Sequence, residues 1–119
     1  MVWRFDENLP IYRQVVMTLR GAILRGEYKP GETLPTVRAL AEEAGINPNT
    51  AQRALSSLED MELAVCYSTA GRKVTTKPED IERQLNKAAS DLVAYVLRSA
   101  KDIGIAPEEL AAMLCEKEK

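Results

Sequence analysis

The chain has 119 residues, 45% of them hydrophobic and 29% charged, which suffices for one modest domain plus an appendage and falls short of two full domains. It contains no histidine, which removes every histidine-based catalytic dyad or triad and the commonest zinc ligand. No apolar run is long enough to cross a bilayer, and MVWRFDENLP lacks the basic-then-apolar pattern of a secretory leader, so a cytoplasmic protein that makes no use of a membrane is expected.

There is also no glycine-rich phosphate loop, no Gly-x-Ser-x-Gly and no dense acidic cluster on one helix face, so neither an enzyme nor a cofactor or metal site is expected. The net charge is −2. Residues 1–78 hold ten Lys/Arg against nine Asp/Glu, a net of +1, while residues 79–119 hold six against nine, a net of −3. The acidity therefore sits in the tail, and the sum does not argue against a nucleic-acid partner for the first part. Cys66 and Cys115 lack metal-ligand spacing. They read as reduced, part-buried thiols, with a redox switch or an intersubunit bridge as the alternative.

Trp3 and Phe5 alternate along an extended start, either packing against the domain or stacking on bases. Pro10 suits the first position of a helix over about residues 10–25, in which Ile11, Val15, Leu19 and Ile23 share one face and Gly26 is the stop. Lys29-Pro30-Gly31 fits a type II turn. Thr36 can cap a second helix whose buried face is Val37, Leu40, Ala41 and Ala44. Alanine at position 39 excludes a capping box. Gly45 ends that helix, Ile46 is a plug into the core, and Asn47-Pro48 restarts the chain as N-cap and first helical residue.

The third helix buries Ala51, Ala54, Leu55 and Leu58. Its other side then carries Asn49, Arg53 and Ser56, flanked by Thr50 and Gln52, and no acid occurs between Gly45 and Glu59. A solvated face ordinarily carries Glu/Lys pairs, so this surface is suited to a partner. Leu63, Val65 and Tyr67 alternate with Ala64 and Cys66 as in a half-buried strand. Ser68 to Gly71 is a turn, and Arg72 to Thr76 is the returning strand.

Lys77-Pro78 marks a boundary. Beyond it Ile81, Leu85, Ala88, Leu92 and Val96 recur at helical spacing, Gly104 interrupts, and Pro107 opens a last helix with Leu110, Met113 and Leu114 on one face. The two helices carry more apolar surface than they can bury between them.

The fold expected is mainly α with a small β-ribbon: an N-terminal winged helix-turn-helix, residues 1–78, followed by a C-terminal two-helix dimerisation unit, residues 79–119. The chemistry of the first part suits double-stranded DNA. A helix fits the major groove, about 12 Å wide, where Arg53 could pair with guanine O6/N7 and Gln52 or Asn49 with adenine. The starts of the second and third helices, at Thr36 and Asn47, present free N–H groups to phosphates. The tail would hold a second copy, since a symmetric site has half-sites about 34 Å apart.

The run from Pro10 through Val74, above all PIYRQ, GEYKPGETLPTVRALAEEAG and NPNTAQRALSSLE, resembles the DNA-binding domain of the GntR family. The NPNT start of helix three and the short helical tail are similar to the YtrA subfamily, in which the tail dimerises and binds no ligand. The MocR branch shares the same N-terminal region, but its aminotransferase-like domain is not expected here. The resemblance implies that Arg38 contacts operator DNA near the start of helix two, that Asn49, Thr50, Gln52 and Arg53 approach bases and phosphates, and that Gly71 and Arg72 lie in a wing entering the minor groove. Two departures stand out. Pro48 replaces an arginine of many relatives, which removes one contact, and the wing has a single glycine where Gly-Arg/Lys-Gly is usual. The regulator expected is a dimeric repressor on a palindromic operator, with any small-molecule effector left open. The alternative is a winged helix that uses its polar face for a partner protein without reading DNA.

Overall fold

The first helix, α1 (Ile11–Leu24), forms where the four-residue apolar spacing runs, and it buries Val15, Val16, Leu19, Ala22 and Ile23. Pro10 stands one position outside it, as the N-cap with ψ 126°, rather than as the first helical residue. The side chain of Gln14 fastens the preceding segment to this helix. Its Oε1 accepts from the Asp6 N–H at 2.8 Å, and its Nε2 donates to the Asp6 and Leu9 carbonyls at 2.8 and 3.2 Å. Trp3 and Phe5 stack with centroids 5.8 Å apart and pack on the core, so the packing reading of these rings holds.

The computed structural model describes residues 2–68 and 71–118. After α1 come α2 (Val37–Ala44), α3 (Pro48–Asp60), the strands β1 (Ala64–Cys66) and β2 (Arg72–Val74), then α4 (Pro78–Asp102) and α5 (Pro107–Glu118). This mainly helical chain with one small antiparallel ribbon is the fold class the sequence predicts. The ribbon pairs Ala64 with Val74, Val65 with Lys73 and Cys66 with Arg72. Thr69 and Ala70, within the predicted turn, lie outside the described residues.

Lys29-Pro30-Gly31 makes the expected turn: the Glu32 N–H donates to the Lys29 carbonyl at 2.9 Å, and Gly31 has φ +81°, which a type II turn requires at that position. The turn sends residues 31–34 along the free edge of β2. Leu34 N–H donates to the Arg72 carbonyl and Val74 N–H to the Glu32 carbonyl, both at 2.9 Å, with Thr33 bridging Lys73. The ribbon thus has a third short partner that the sequence pattern did not reveal.

The described residues form two compact units, residues 1–84 and 85–119. In the first, α1 and α2 pack on α3, whose end packs on β1. Leu19, Ile23, Leu34, Leu40, Leu55, Leu58 and Leu63 are the largest fully buried side chains. At about 1.5–3 kcal/mol for each large apolar side chain removed from water, this cluster is what holds the three helices together. Ile81, expected in the dimer stripe, belongs here. It lies in the first turn of α4, half-buried against this core. Asp80 beside it is buried, accepting from the Thr75 hydroxyl at 3.0 Å and from Arg83 Nη2 at 2.9 Å.

The predicted strand alternation is not kept, and Cys66 is exposed as well as Val65. Leu63 and Ala64 are buried, while Val65 and Tyr67 are more than half exposed. Leu63 is not a strand residue: its N–H closes the end of α3 on the Leu58 carbonyl at 3.0 Å, with Glu62 before it at φ +62°. The inward position therefore falls one residue later in β1 than alternation from Leu63 implies. Cys66 and Cys115 are free and exposed, not part-buried.

In the second unit, Gly104 ends α4 and Pro107 starts α5, as the sequence predicts. Leu85, Leu92, Met113 and Leu114 are exposed, and Ala88, Val96 and Leu110 half-buried. A wholly apolar groove of about 330 Å³ runs between α4 and α5, lined by Leu92, Val93, Val96, Leu97 and Leu110 among others. No described helix is long and apolar enough to cross a membrane.

Candidate nucleic-acid interface

The helix-turn-helix is fixed by two side-chain caps. Thr36 Oγ1 accepts from the Ala39 N–H at 3.1 Å, and Asn47 Oδ1 accepts from the Asn49 N–H at 2.8 Å, with Pro48 as the first residue of α3. Each such cap contributes about 1 kcal/mol and leaves other first-turn N–H groups facing outward. Between the helices Gly45 takes φ +68°, and the Ile46 N–H returns to the Ala41 carbonyl at 3.0 Å. Ile46 is half-buried on the core, the plug its position suggested.

Burial of Ala51, Ala54, Leu55 and Leu58 turns Asn49, Gln52 and Arg53 to the surface and leaves Thr50 and Ser56 half-buried at its edges. Gln52 Nε2 donates to Ser56 Oγ at 3.3 Å, a long bond that a base edge could replace. Arg53 does not stand free: its guanidinium lies over the ring of Tyr12, 3.7 Å from the centroid. Tyr12 also accepts from Arg13 Nε at 3.2 Å, and that bond, followed by the charges of Arg13 and Arg53, holds its phenol below the ordinary tyrosine range against the opposing effect of desolvation.

Arg38 is 91% exposed, and its Nε meets Glu42 Oε1 at 3.3 Å one turn along α2. An exposed pair of this kind is worth about 0.3–0.5 kcal/mol, so it leaves the arginine available to a stronger anion. Thr36, Arg38, Asn47, Asn49 and Gln52 are each exposed on this capped two-helix unit, and an open depression lined by Thr36, Val37, Arg38, Glu42 and Pro48 lies where the two helices meet.

The wing residues differ. Gly71 is buried, its carbonyl accepting from the Tyr67 and Ser68 N–H groups at 3.1 and 3.4 Å. Arg72 is 5% exposed, and its Nε–H donates to the Glu59 carboxylate. Neither is the outward-reaching contact that the resemblance implies. In the register of β2 the outward side chain is Lys73, exposed with its Nζ 4.7 Å from the Tyr67 ring centroid. Sequence reasoning also missed Tyr12 and Arg13, for which the only signal was their place in the PIYRQ run.

Three helices in this order, a capped third helix with no acid before Glu59, and a ribbon returning on the 31–34 segment define a winged helix-turn-helix, the architecture of a DNA-binding transcription regulator. Residues 11–74 match the model of the bacterial regulatory proteins of the gntR family, and the chain belongs to that family. It is 28% identical over 107 residues to the HTH-type transcriptional regulator YhcF of Bacillus subtilis, covering 90% of this chain and 88% of YhcF. To the HTH-type transcriptional repressor YtrA of the same organism it is 44% identical over 52 residues, 44% of this chain and 40% of YtrA. A solved GntR family transcriptional regulator from Listeria monocytogenes superposes with a TM-score of 0.88 at 32% identity, covering 94% of this chain and 98% of that one. Each of these relatives is named as a regulator of transcription.

Proposed function

We propose that the chain is a sequence-specific repressor that binds a palindromic operator as a homodimer in the cytoplasm. The observation that carries the reading is the outer side of α3. It offers amide and hydroxyl groups without a single carboxylate from Ile46 to Leu58, on a helix whose start is capped and positive toward phosphate. Asn49 and Gln52 face the base edges of the major groove. Thr36, Arg38 and Asn47 meet the backbone on either side, and Lys73 brings the wing to a neighbouring phosphate.

The second unit, 85–119, supports the homodimer. Leu92 and Leu114 are 63% and 58% exposed, and the groove between α4 and α5 is wholly apolar. An exposed apolar surface of this extent fits a self-complementary contact with a second copy, and a two-fold axis through it matches two half-sites. Repression is what the name of YtrA states of that relative, and occupancy of a promoter by the dimer is its simplest mechanism.

Titration of the full chain on duplex DNA over a salt series tests the reading. The logarithm of the binding constant falls linearly with that of salt by about 0.9 per neutralised phosphate, and Arg38→Ala lowers the slope by about one. A module that binds only a partner protein shows no such linkage.

A further inference from the structure

Arg53 and Arg13 converge on one phenol ring. The Arg53 guanidinium carbon is 3.7 Å from the Tyr12 centroid and that of Arg13 is 5.9 Å from it, with Arg13 Nε donating to the hydroxyl at 3.2 Å. Among the described residues neither Arg13 nor Arg53 has a carboxylate within salt-bridge distance, which is true of Arg4, Arg20 and Arg98 as well, but Arg13 and Arg53 are the two that also gather on one ring. Arg53 is seated on the ring face and Arg13 at the hydroxyl, so two positive charges gather around one side chain with no carboxylate to neutralise them, and an anion that reaches both is favoured.

We infer that Tyr12, Arg13 and Arg53 form a clasp for one backbone phosphate of the duplex, so that Arg53 positions the recognition helix and does not read a base. This rests on the DNA-binding reading above and extends the interface from the helix-turn-helix to α1. The notch beside the ring, about 400 Å³, is lined by Ile11, Tyr12, Asn49, Thr50 and Arg53, all apolar or hydrogen-bonding and none acidic. Tyr12 accepts from Arg13, which leaves its own O–H to donate to a phosphate oxygen. The first turn of α1 has no acidic residue and no side-chain cap, so its N–H groups add positive potential at the same place. The direction of the Tyr12 shift, downward from the ordinary phenol value, agrees with this local excess of positive charge. A guanine edge is neutral and one guanidinium fork satisfies it, whereas two cations with a phenol donor match a full negative charge. Base reading is left to Asn49 and Gln52.

The test measures binding of the full chain to a duplex recovered by selection and to a random duplex of equal length, over a salt series. The clasp predicts that Arg53→Ala and Arg13→Gln each weaken both duplexes by the same factor. The double variant lowers the salt slope by about 0.9, the value of one phosphate. Tyr12→Phe gives a smaller, equally uniform loss, because the ring that seats Arg53 is kept. Gln52→Ala, by contrast, weakens the selected duplex more than the random one. Arg13 is exposed, so Arg13→Gln reports on binding without disturbing the core, and an unchanged thermal unfolding curve verifies this. A loss of about tenfold or more in discrimination on Arg53→Ala would overturn the clasp and return Arg53 to base reading. Unchanged affinity of Arg13→Gln for both duplexes would also overturn it. If the unaltered chain bound neither duplex, the DNA-binding reading itself would fail and the clasp with it.

Discussion

Arg72, at the start of β2, donates its Nε–H to the carboxylate of Glu59 in the last turn of α3, and this pair ties the base of the ribbon to the helix proposed to face DNA. Arg72 is 5% exposed, and its Nη1 is buried with no hydrogen-bond partner among the described residues, so Glu59 is its principal compensation. A buried ion pair of this kind fixes orientation more than it adds stability, but breaking it leaves a lone charge in the interior.

Glu59→Ala is therefore expected to cost about 3 kcal/mol, the lower end for a broken buried pair because Glu59 is partly solvated. Urea unfolding measures it. Replacing both residues, Glu59→Leu with Arg72→Met, recovers most of that loss. If Arg72→Met instead left unfolding unchanged and lowered the salt slope of DNA binding by about one, Arg72 would be a phosphate contact after all.

Asp80 makes a second joint, between Thr75 after β2 and the start of α4. The hydrogen bond from Arg83, then that from Thr75, holds its carboxyl below the ordinary value of about 3.9 in the folded chain. The unfolded chain thus takes up the proton first as pH falls. The stabilisation is complete above the unfolded value and disappears as pH drops through the folded one. Melting curves of the unaltered chain and of Asp80→Asn are expected to differ at neutral pH and to converge below about pH 4. A constant difference across that range would contradict this account of Asp80.

Ile81 and Leu92 lie on the same helix and have separate tasks. Leu92→Glu places a charge on the exposed apolar face and is expected to give a monomer by sedimentation equilibrium with unchanged helix content. Ile81→Ala is expected to keep the dimer and lower the stability of the first unit by about 2 kcal/mol, the low end for losing a buried aliphatic side chain. A dimer that survives Leu92→Glu would move the self-contact elsewhere.

The three-helix unit was legible because its signals are local. Ala51, Ala54, Leu55 and Leu58 declare an inner face, Thr36 and Asn47 declare caps, and Pro30-Gly31 declares a turn. Each of those signals acts within about one turn of chain. The errors came where tertiary contacts decide. Ile81 fits the apolar period of its helix equally well whether it meets a second copy or the core beneath it. Arg72 looks like a wing cation until strand register points it at Glu59, thirteen residues back. The alternation from Leu63 failed because Glu62 adopts positive φ, a conformation unusual for a non-glycine residue, and so shifts the start of the strand. Tyr12 carried no local mark at all, since its relation to Arg53 depends on how α1 crosses α3.

On the proposed reading, the outer side of α3 reads duplex sequence while a second copy repeats that contact one helical turn away. Unbiased selection from random duplex oligonucleotides with the purified full chain, at moderate ionic strength, tests it most directly. An inverted repeat with half-site centres about 34 Å apart, or a multiple of that, is expected to be enriched, with altered preference in the Gln52→Ala chain. A pool that stays random after successive rounds would contradict it.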